Sequence, residues 1–173
     1  FPLYCPLVFY LGYKNTKLNT LNIVICTTMN SFLTFIEKDH YTLAIKSIEI
    51  EKNSYSSNNI IIPPSIKNLQ RQAEWRASRS MAHRLAPNTK ISNNIYGAPI
   101  LSNGKAISIS HSQSLCAVII GQKRVAIDIE EITERAKKLS AKFLSEEEIG
   151  FAEDITRATI CWSVKECLFK IHQ

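Results

Sequence analysis

Apolar and polar positions alternate along "AISIS" (106–110), run almost unbroken through "LCAVII" (115–120), and alternate again along "VAIDIE" (125–130). The turns between them, "HSQS" and "GQKR", are short. This spacing predicts three strands in an antiparallel meander. In the third strand Val125, Ile127 and Ile129 share one face, and Ala126, Asp128 and Glu130 share the other. Upstream, "YTLAIKSIEI" (41–50) has strand-like content and "EKNSYSSNN" (51–59) reads as a polar loop. After Pro63-Pro64, Ser65 is placed to cap a helix in which Ile66, Leu69, Ala73, Ala77, Met81 and Leu85 recur at steps of three and four. One face of that helix is therefore buried, and Pro87 follows its end.

A second helix is predicted over 133–143, with Ile132, Ala136, Leu139 and Phe143 on one face. "LSEEEI" then reads as a helix start: Ser145 is the N-cap, Glu148 closes a capping box, and Leu144 and Ile149 are spaced for a hydrophobic staple. The acidic cluster at 146–148 thus has a structural explanation, since carboxylates suit the positive end of a helix dipole. A last helix over about 158–171 carries Ile160, Trp162, Val164, Leu168, Phe169 and Ile171 almost all round. An exposed apolar patch is expected there unless further chain covers it.

Composition narrows the class. The 173 residues, 45% hydrophobic and 21% charged, suit one domain or two small subdomains of a soluble protein. The net charge of +6 favours an anionic partner without choosing one. Lys67, Arg71, Arg76, Arg79 and Arg84 decorate the first helix and read, for the most part, as a solvated face. Five cysteines, an odd number with no CxxC pair, point to reduced thiols in an intracellular protein rather than a zinc site or disulfide framework. The opening "FPLYCPLVFYLGY" is too short and too proline-broken to span a bilayer, and translation is expected to start near Met29, leaving 1–28 as upstream sequence.

Three groups of residues carry candidate chemistry. Asp128 and Glu130 stand side by side, either on an edge strand with one wet face or as ligands for a hard cation such as Mg²⁺. Trp162, Glu166 and Lys170 follow at steps of four, with Lys165 beside them; this is a surface Glu–Lys pair or the rest of a metal–phosphate site. His111 and Ser112 lie where a strand enters a turn, as plain turn residues or as donors to phosphate oxygens.

"SISHS" (108–112), "VAIDIE" (125–130), "KFLSEEE" (142–148) and "WSVKECLFK" (162–170), in this order, resemble the 4′-phosphopantetheinyl transferases of the Sfp type. "EWRASRSMAHRL" (74–85) and "YGAPIL" (96–101) are similar to that family's leading helix and the loop after it. Two positions depart from the pattern: Ala126 stands where glycine is usual, and Ala98 replaces a basic loop residue. The resemblance implies an α+β fold of two pseudo-symmetric halves: helix plus antiparallel meander over 29–130, then helices over 131–173, with the second half cut short. It implies a cytoplasmic enzyme, monomeric at full length, that moves the phosphopantetheine arm of coenzyme A to a serine of an apo acyl or peptidyl carrier protein and releases 3′,5′-ADP. Neither nucleic acid nor a membrane is expected as partner. By the same resemblance Asp128, Glu130 and Glu166 would hold Mg²⁺ and Glu166 would act as base. Lys170 would stabilise phosphate charge, and Ser110, His111, Lys170 and Lys165 would contact coenzyme A, Lys165 with the alternative of a plain ion pair. The competing readings are a fragment that binds coenzyme A or a carrier protein without turnover, and a metal-dependent nuclease.

Overall fold

The computed structural model of the chain describes residues 7–14, 17–25, 33–38, 40–48 and 60–172. The polar loop expected over 51–59, Met29, Cys5 and Cys26 lie outside them. In chain order the elements are β1 (Leu7–Lys14), β2 (Lys17–Ile25), β3 (Leu33–Lys38), β4 (Tyr41–Ser47), α1 (Leu69–Leu85), β5 (Ile91–Asn93), β6 (Pro99–Leu101), β7 (Ala106–His111), β8 (Leu115–Gly121), β9 (Val125–Glu130), α2 (Glu134–Phe143), α3 (Glu146–Phe151) and α4 (Ile155–His172). The fold is α+β, and its described strands pair antiparallel.

The expected meander is only half present. β7 and β8 form the hairpin, with Ala106 opposite Gly121 and His111 opposite Cys116. The ladder then continues away from β9, in the order β3-β4-β8-β7. β9 instead pairs with β1 in a second sheet of order β2-β1-β9, Gly12 lying opposite Val125 and Leu7 opposite Glu130. Gly121 sits where the chain turns from one sheet to the other. A Cβ there would meet Val125 Cγ1 at 2.7 Å and the Lys123 carbonyl at 3.0 Å, so the turn requires glycine.

β8 is buried on both faces, which accounts for its unbroken apolar run. Cys116, Val118 and Ile120 face α1 and meet Ala77, Met81 and Ala82. Leu115, Ala117 and Ile119 face β9 and meet Val125, Ile127 and Ile129, with Leu43 and Ile45 of β4 alongside. Truncating a wholly buried residue such as Ile119 or Ile127 to alanine would cost about 2–5 kcal/mol.

α1 starts later than predicted. Asn68, not Ser65, is its N-cap, and the Asn68 Oδ1 accepts from the Arg71 amide at 3.0 Å. Ser65 and Ile66 belong to a preceding turn closed by the Ile66 amide on the Pro63 carbonyl. Leu69, assigned to the buried face by spacing, is 69% exposed because it lies on the first turn, outside the packed stretch. The capping box at Ser145 and Glu148 forms as predicted. α4 begins at Ile155, and Asp154 accepts from the Arg157 amide at 2.8 Å. Its buried stripe is Thr159, Ser163, Cys167 and Ile171, largely small residues; Phe169 faces outward, 62% exposed.

Candidate functional site

α4 lies along the face of β9 that carries Ala126, Asp128 and Glu130. Ala126 packs under Cys167 and Ile171. The small side chain that departs from the usual glycine is therefore accommodated beneath the helix. Among the described residues β9 is an edge strand of its sheet, but Asp128, next along it, is only 4% exposed, so the face it shares is not the wet one of the alternative reading. Its Oδ1 accepts from Lys170 Nζ at 2.9 Å and from Ser110 Oγ at 3.1 Å. Lys170 Nζ also reaches the Ile127 carbonyl at 2.9 Å and Ser110 Oγ at 3.2 Å. Asp128 Oδ2 is buried and has no hydrogen-bond partner.

Glu130 Oε1 accepts from Trp162 Nε1 at 2.9 Å, and the Trp162 ring is held edge-on by Phe143 at 5.0 Å. Burial pushes the Glu130 carboxyl up to about 7; the Asp128 charge adds to this, the Trp162 bond and Arg135 oppose it, and Glu166 adds a smaller repulsion. Glu166, half-buried on α4, thus stands close enough to feel the strand carboxylates.

As placed, no three His, Cys, Asp or Glu side chains among the described residues form a ready metal cluster. The chemistry of the donor set nevertheless fits a hard cation. One buried carboxylate oxygen lacks a partner and a neighbouring carboxyl is strained by like charge, and a divalent cation would relieve both.

The other face of β7 builds a different environment, since alternate strand residues point opposite ways. Ser110 points toward β9, and His111 points toward α1. The α1 carboxylate Glu74 is buried; it accepts from Gln70 at 3.2 Å and from Arg71 Nη1 at 3.1 Å, and lies 3.4 Å from His111 Nδ1. Arg71 Nη1 also lies 3.3 Å from His111 Nε2. An arginine can only donate, so Nε2 accepts and Nδ1 carries the proton toward Glu74. Burial, more than any charge, lowers the His111 pKa; Glu74 works against this, and Arg71 and Lys170 add to it. The ring is therefore neutral near pH 7.

In front of His111 opens a cleft of about 580 Å³ whose lining includes Lys67, Arg71, Trp75 and Arg79. Arg79 lies over the Trp75 ring at 3.8 Å and reaches Asn93 Oδ1 at 3.3 Å. The sequence reading placed Arg71 and Arg79 on a mostly solvated face and gave Glu74 no role of its own. The signal was there: Glu74 falls beside the buried stripe of Ala73 and Ala77, where an acid needs a partner, and Arg71 is one turn away.

Of the residues the sequence suggested, the structure brings Asp128, Lys170 and Ser110 into direct contact, with Glu130 and Glu166 beside them. His111 is on the opposite side of the same strand. Lys165 is elsewhere, paired with Glu148 at 2.7 Å and tying α3 to α4. The Cys116 and Cys167 thiols are pushed up to about 12, chiefly by burial, and so offer no nucleophile.

The family model described as the 4'-phosphopantetheinyl transferase N-terminal domain matches residues 66–121. That stretch runs from the turn before α1 through β8, so it includes the cleft wall and His111 and stops short of β9 and α4. No curated protein matches the chain. The matched domain points to phosphopantetheine transfer in general. No helix among the described residues is long and apolar enough to cross a membrane.

Proposed function

We propose that the protein transfers the 4′-phosphopantetheine arm of coenzyme A to a serine of an apo acyl or peptidyl carrier protein, with Mg²⁺, releasing 3′,5′-ADP. One observation supports this above the others: a single strand, β7, separates a cationic cleft from a carboxylate cluster, through Ser110 on one face and His111 on the other. A substrate with a terminal phosphate and a pyrophosphate needs both, cations for the first and a metal-holding acid group for the second.

In this reading Lys67, Arg71 and Arg79 neutralise coenzyme A phosphate in the cleft, with the neutral His111 as a hydrogen-bonding neighbour. Asp128, Glu130 and Glu166 would hold Mg²⁺, which supplies charge neutralisation at the pyrophosphate. Glu166 accepts the proton of the carrier serine. The serine oxygen forms its bond to the phosphorus nearer the pantetheine, the bridging P–O bond breaks, and that oxygen leaves with 3′,5′-ADP. Lys170 stands at the boundary and offers its ammonium to the phosphate charge. Positioning and charge neutralisation supply most of the rate, as expected of phosphoryl-type transfer. The chain's positive balance steers an acidic carrier toward the site. The two-half organisation belongs to the same proposal, with 131–173 opening the second half.

The test is mass spectrometry of an apo carrier protein incubated with this chain, coenzyme A and Mg²⁺. A mass gain of one phosphopantetheine arm, lost on omitting the metal, is the expected result. An unmodified carrier together with nicked plasmid DNA under the same conditions would favour a nuclease instead.

A further inference from the structure

We infer that Ser108 and Ser110 are positioning residues, which stand in for a missing backbone ladder between β7 and β9 and hold Asp128 and Lys170 in place. Among the described residues β9 is paired along one edge, with β1. Its other edge faces β7, whose own ladder runs to β8. The β9 amides on that edge would be orphaned in the interior, which is costly. Serine hydroxyls take them instead. The Ile127 amide donates to Ser108 Oγ at 3.2 Å, and the Ile129 amide donates to Ser110 Oγ at 3.2 Å. The Ile127 carbonyl on the same edge is taken by Lys170. The two sheets are thus joined at this seam by side chains.

Ser110 has no capacity left for a ligand. A hydroxyl has one proton and two lone pairs. The proton goes to Asp128 Oδ1 at 3.1 Å, and the lone pairs receive the Ile129 amide and Lys170 Nζ, both at 3.2 Å. With the residue 8% exposed, this hydroxyl orients the carboxylate and the lysine and leaves coenzyme A phosphates to other groups. The seam also explains why the two serines sit two apart. Only residues i and i+2 of a strand face the same neighbour, and they meet alternate amides of the facing strand. The catalytic consequence rests on the transfer reading above; the seam itself does not.

The experiment compares Ser110→Ala, Ser108→Ala and Ser110→Thr in the full chain by amide hydrogen exchange, coenzyme A calorimetry and steady-state transfer. Ser110→Ala should speed exchange of the Ile129 amide by roughly tenfold, the loss of one buried hydrogen bond. It should also lower kcat by at least about tenfold while the coenzyme A dissociation constant changes less than about threefold. Ser110→Thr, which keeps the hydroxyl, should restore Ile129 protection. Ser108→Ala should speed exchange at Ile127 alone, because Ser108 hydrogen-bonds to the Ile127 amide and to neither Asp128 nor Lys170. Unchanged exchange at both amides overturns the seam, whether or not the chain transfers anything. Faster exchange with a tenfold weaker coenzyme A affinity and normal kcat overturns the positioning role and makes Ser110 a cofactor contact. If wild type modifies no carrier, the transfer reading fails, and the exchange results still decide the seam.

Discussion

The two faces of β7 hold their charges in opposite ways. On the α1 face the cations line an open cleft, and Arg71 is tethered at its root by the buried Glu74 while its side chain is 64% exposed. On the β9 face the charges are enclosed and already bonded: Asp128 and Lys170 are paired, with side chains 5% and 23% exposed. One side leaves its positive charge exposed in an open cleft, which suits a ligand that brings its own negative charge. The other is closed by an internal counter-ion that any incoming cation must compete with or rearrange. The family match covers the cleft wall and β7 but stops before β9 and α4, which carry Asp128, Glu130, Glu166 and Lys170.

The largest effect is expected on the enclosed face. Asp128→Ala should abolish transfer. It should also destabilise the fold by about 3 kcal/mol, because it leaves Lys170 partly buried without its anion. An isolated metal ligand on a wet strand would cost almost nothing to remove, so a shift in the denaturation midpoint separates these cases. Asp128→Asn combined with Lys170→Met should recover most of the stability and none of the activity. If the single variant unfolded at the wild-type denaturant concentration, the pair would not be holding α4 to β9.

Glu166→Gln comes next. It keeps shape and removes a base, so turnover should fall by roughly 10²–10⁴-fold. Coenzyme A should still bind, because the cationic cleft on the other face is untouched. Calorimetry showing lost binding with normal turnover at saturation would move Glu166 out of the base role.

Arg71→Ala tests the open face. Loss of a hydrogen bond to a charged group is worth about 1.5–3 kcal/mol, so coenzyme A should bind roughly ten- to a hundredfold more weakly. kcat at saturating coenzyme A should hold. Were the arginines of α1 merely solvated, as their spacing suggests, both constants would be unchanged.

The difference between the faces also decides what the sequence could show. The α4–β9 residues were legible because carboxylates inside an apolar alternation break a pattern, and Trp162, Glu166 and Lys170 repeat at helical spacing. The cleft was not, because a basic residue on a helix looks the same in sequence whether it faces water or a ligand. Glu74 beside the buried stripe hints at a partner one turn away, but it takes the tertiary placement of His111 beside Glu74 to set Arg71 apart as part of a cleft. The hairpin β7–β8 and the capping box followed from local rules. The partner of β9 did not: "GQKR" reads as a tight hairpin turn, yet it carries the chain from one sheet to another, and strand alternation is silent on which neighbour completes a ladder.

Glu130 gives a smaller, pH-dependent effect. Its carboxyl is raised from the ordinary 4.5 to about 7, so between these values the folded chain holds a proton that the unfolded chain has released. Stability is therefore greatest below the ordinary carboxylate range and is lost as pH rises to about 7, with no further loss from this group above that. Thermal melts of the metal-free protein should show this slope, and Glu130→Gln should flatten it. Added Mg²⁺ should flatten it too, since a bound cation favours the charged form. A slope indifferent to both would place Glu130 outside the cation site.

The smallest effect is expected at Lys165, a motif lysine that joins neither face. Its pair with Glu148 is exposed on both sides, 41% and 41%, and such solvent-screened pairs contribute little. Glu148 has a second task, since its Oε2 also accepts the Ser145 amide at 2.8 Å in the capping box. Lys165→Ala leaves that bond in place, so α3 should keep its N-terminus and the melting temperature should move by no more than a few degrees. Glu148→Ala removes both interactions and should lower the melting temperature further, because the capping box is lost as well. Transfer rate and coenzyme A affinity should be unchanged in Lys165→Ala. A loss of affinity there, with the fold intact, would mean that Lys165 leaves Glu148 for the cofactor, and the two-faced division of the site would need a third member.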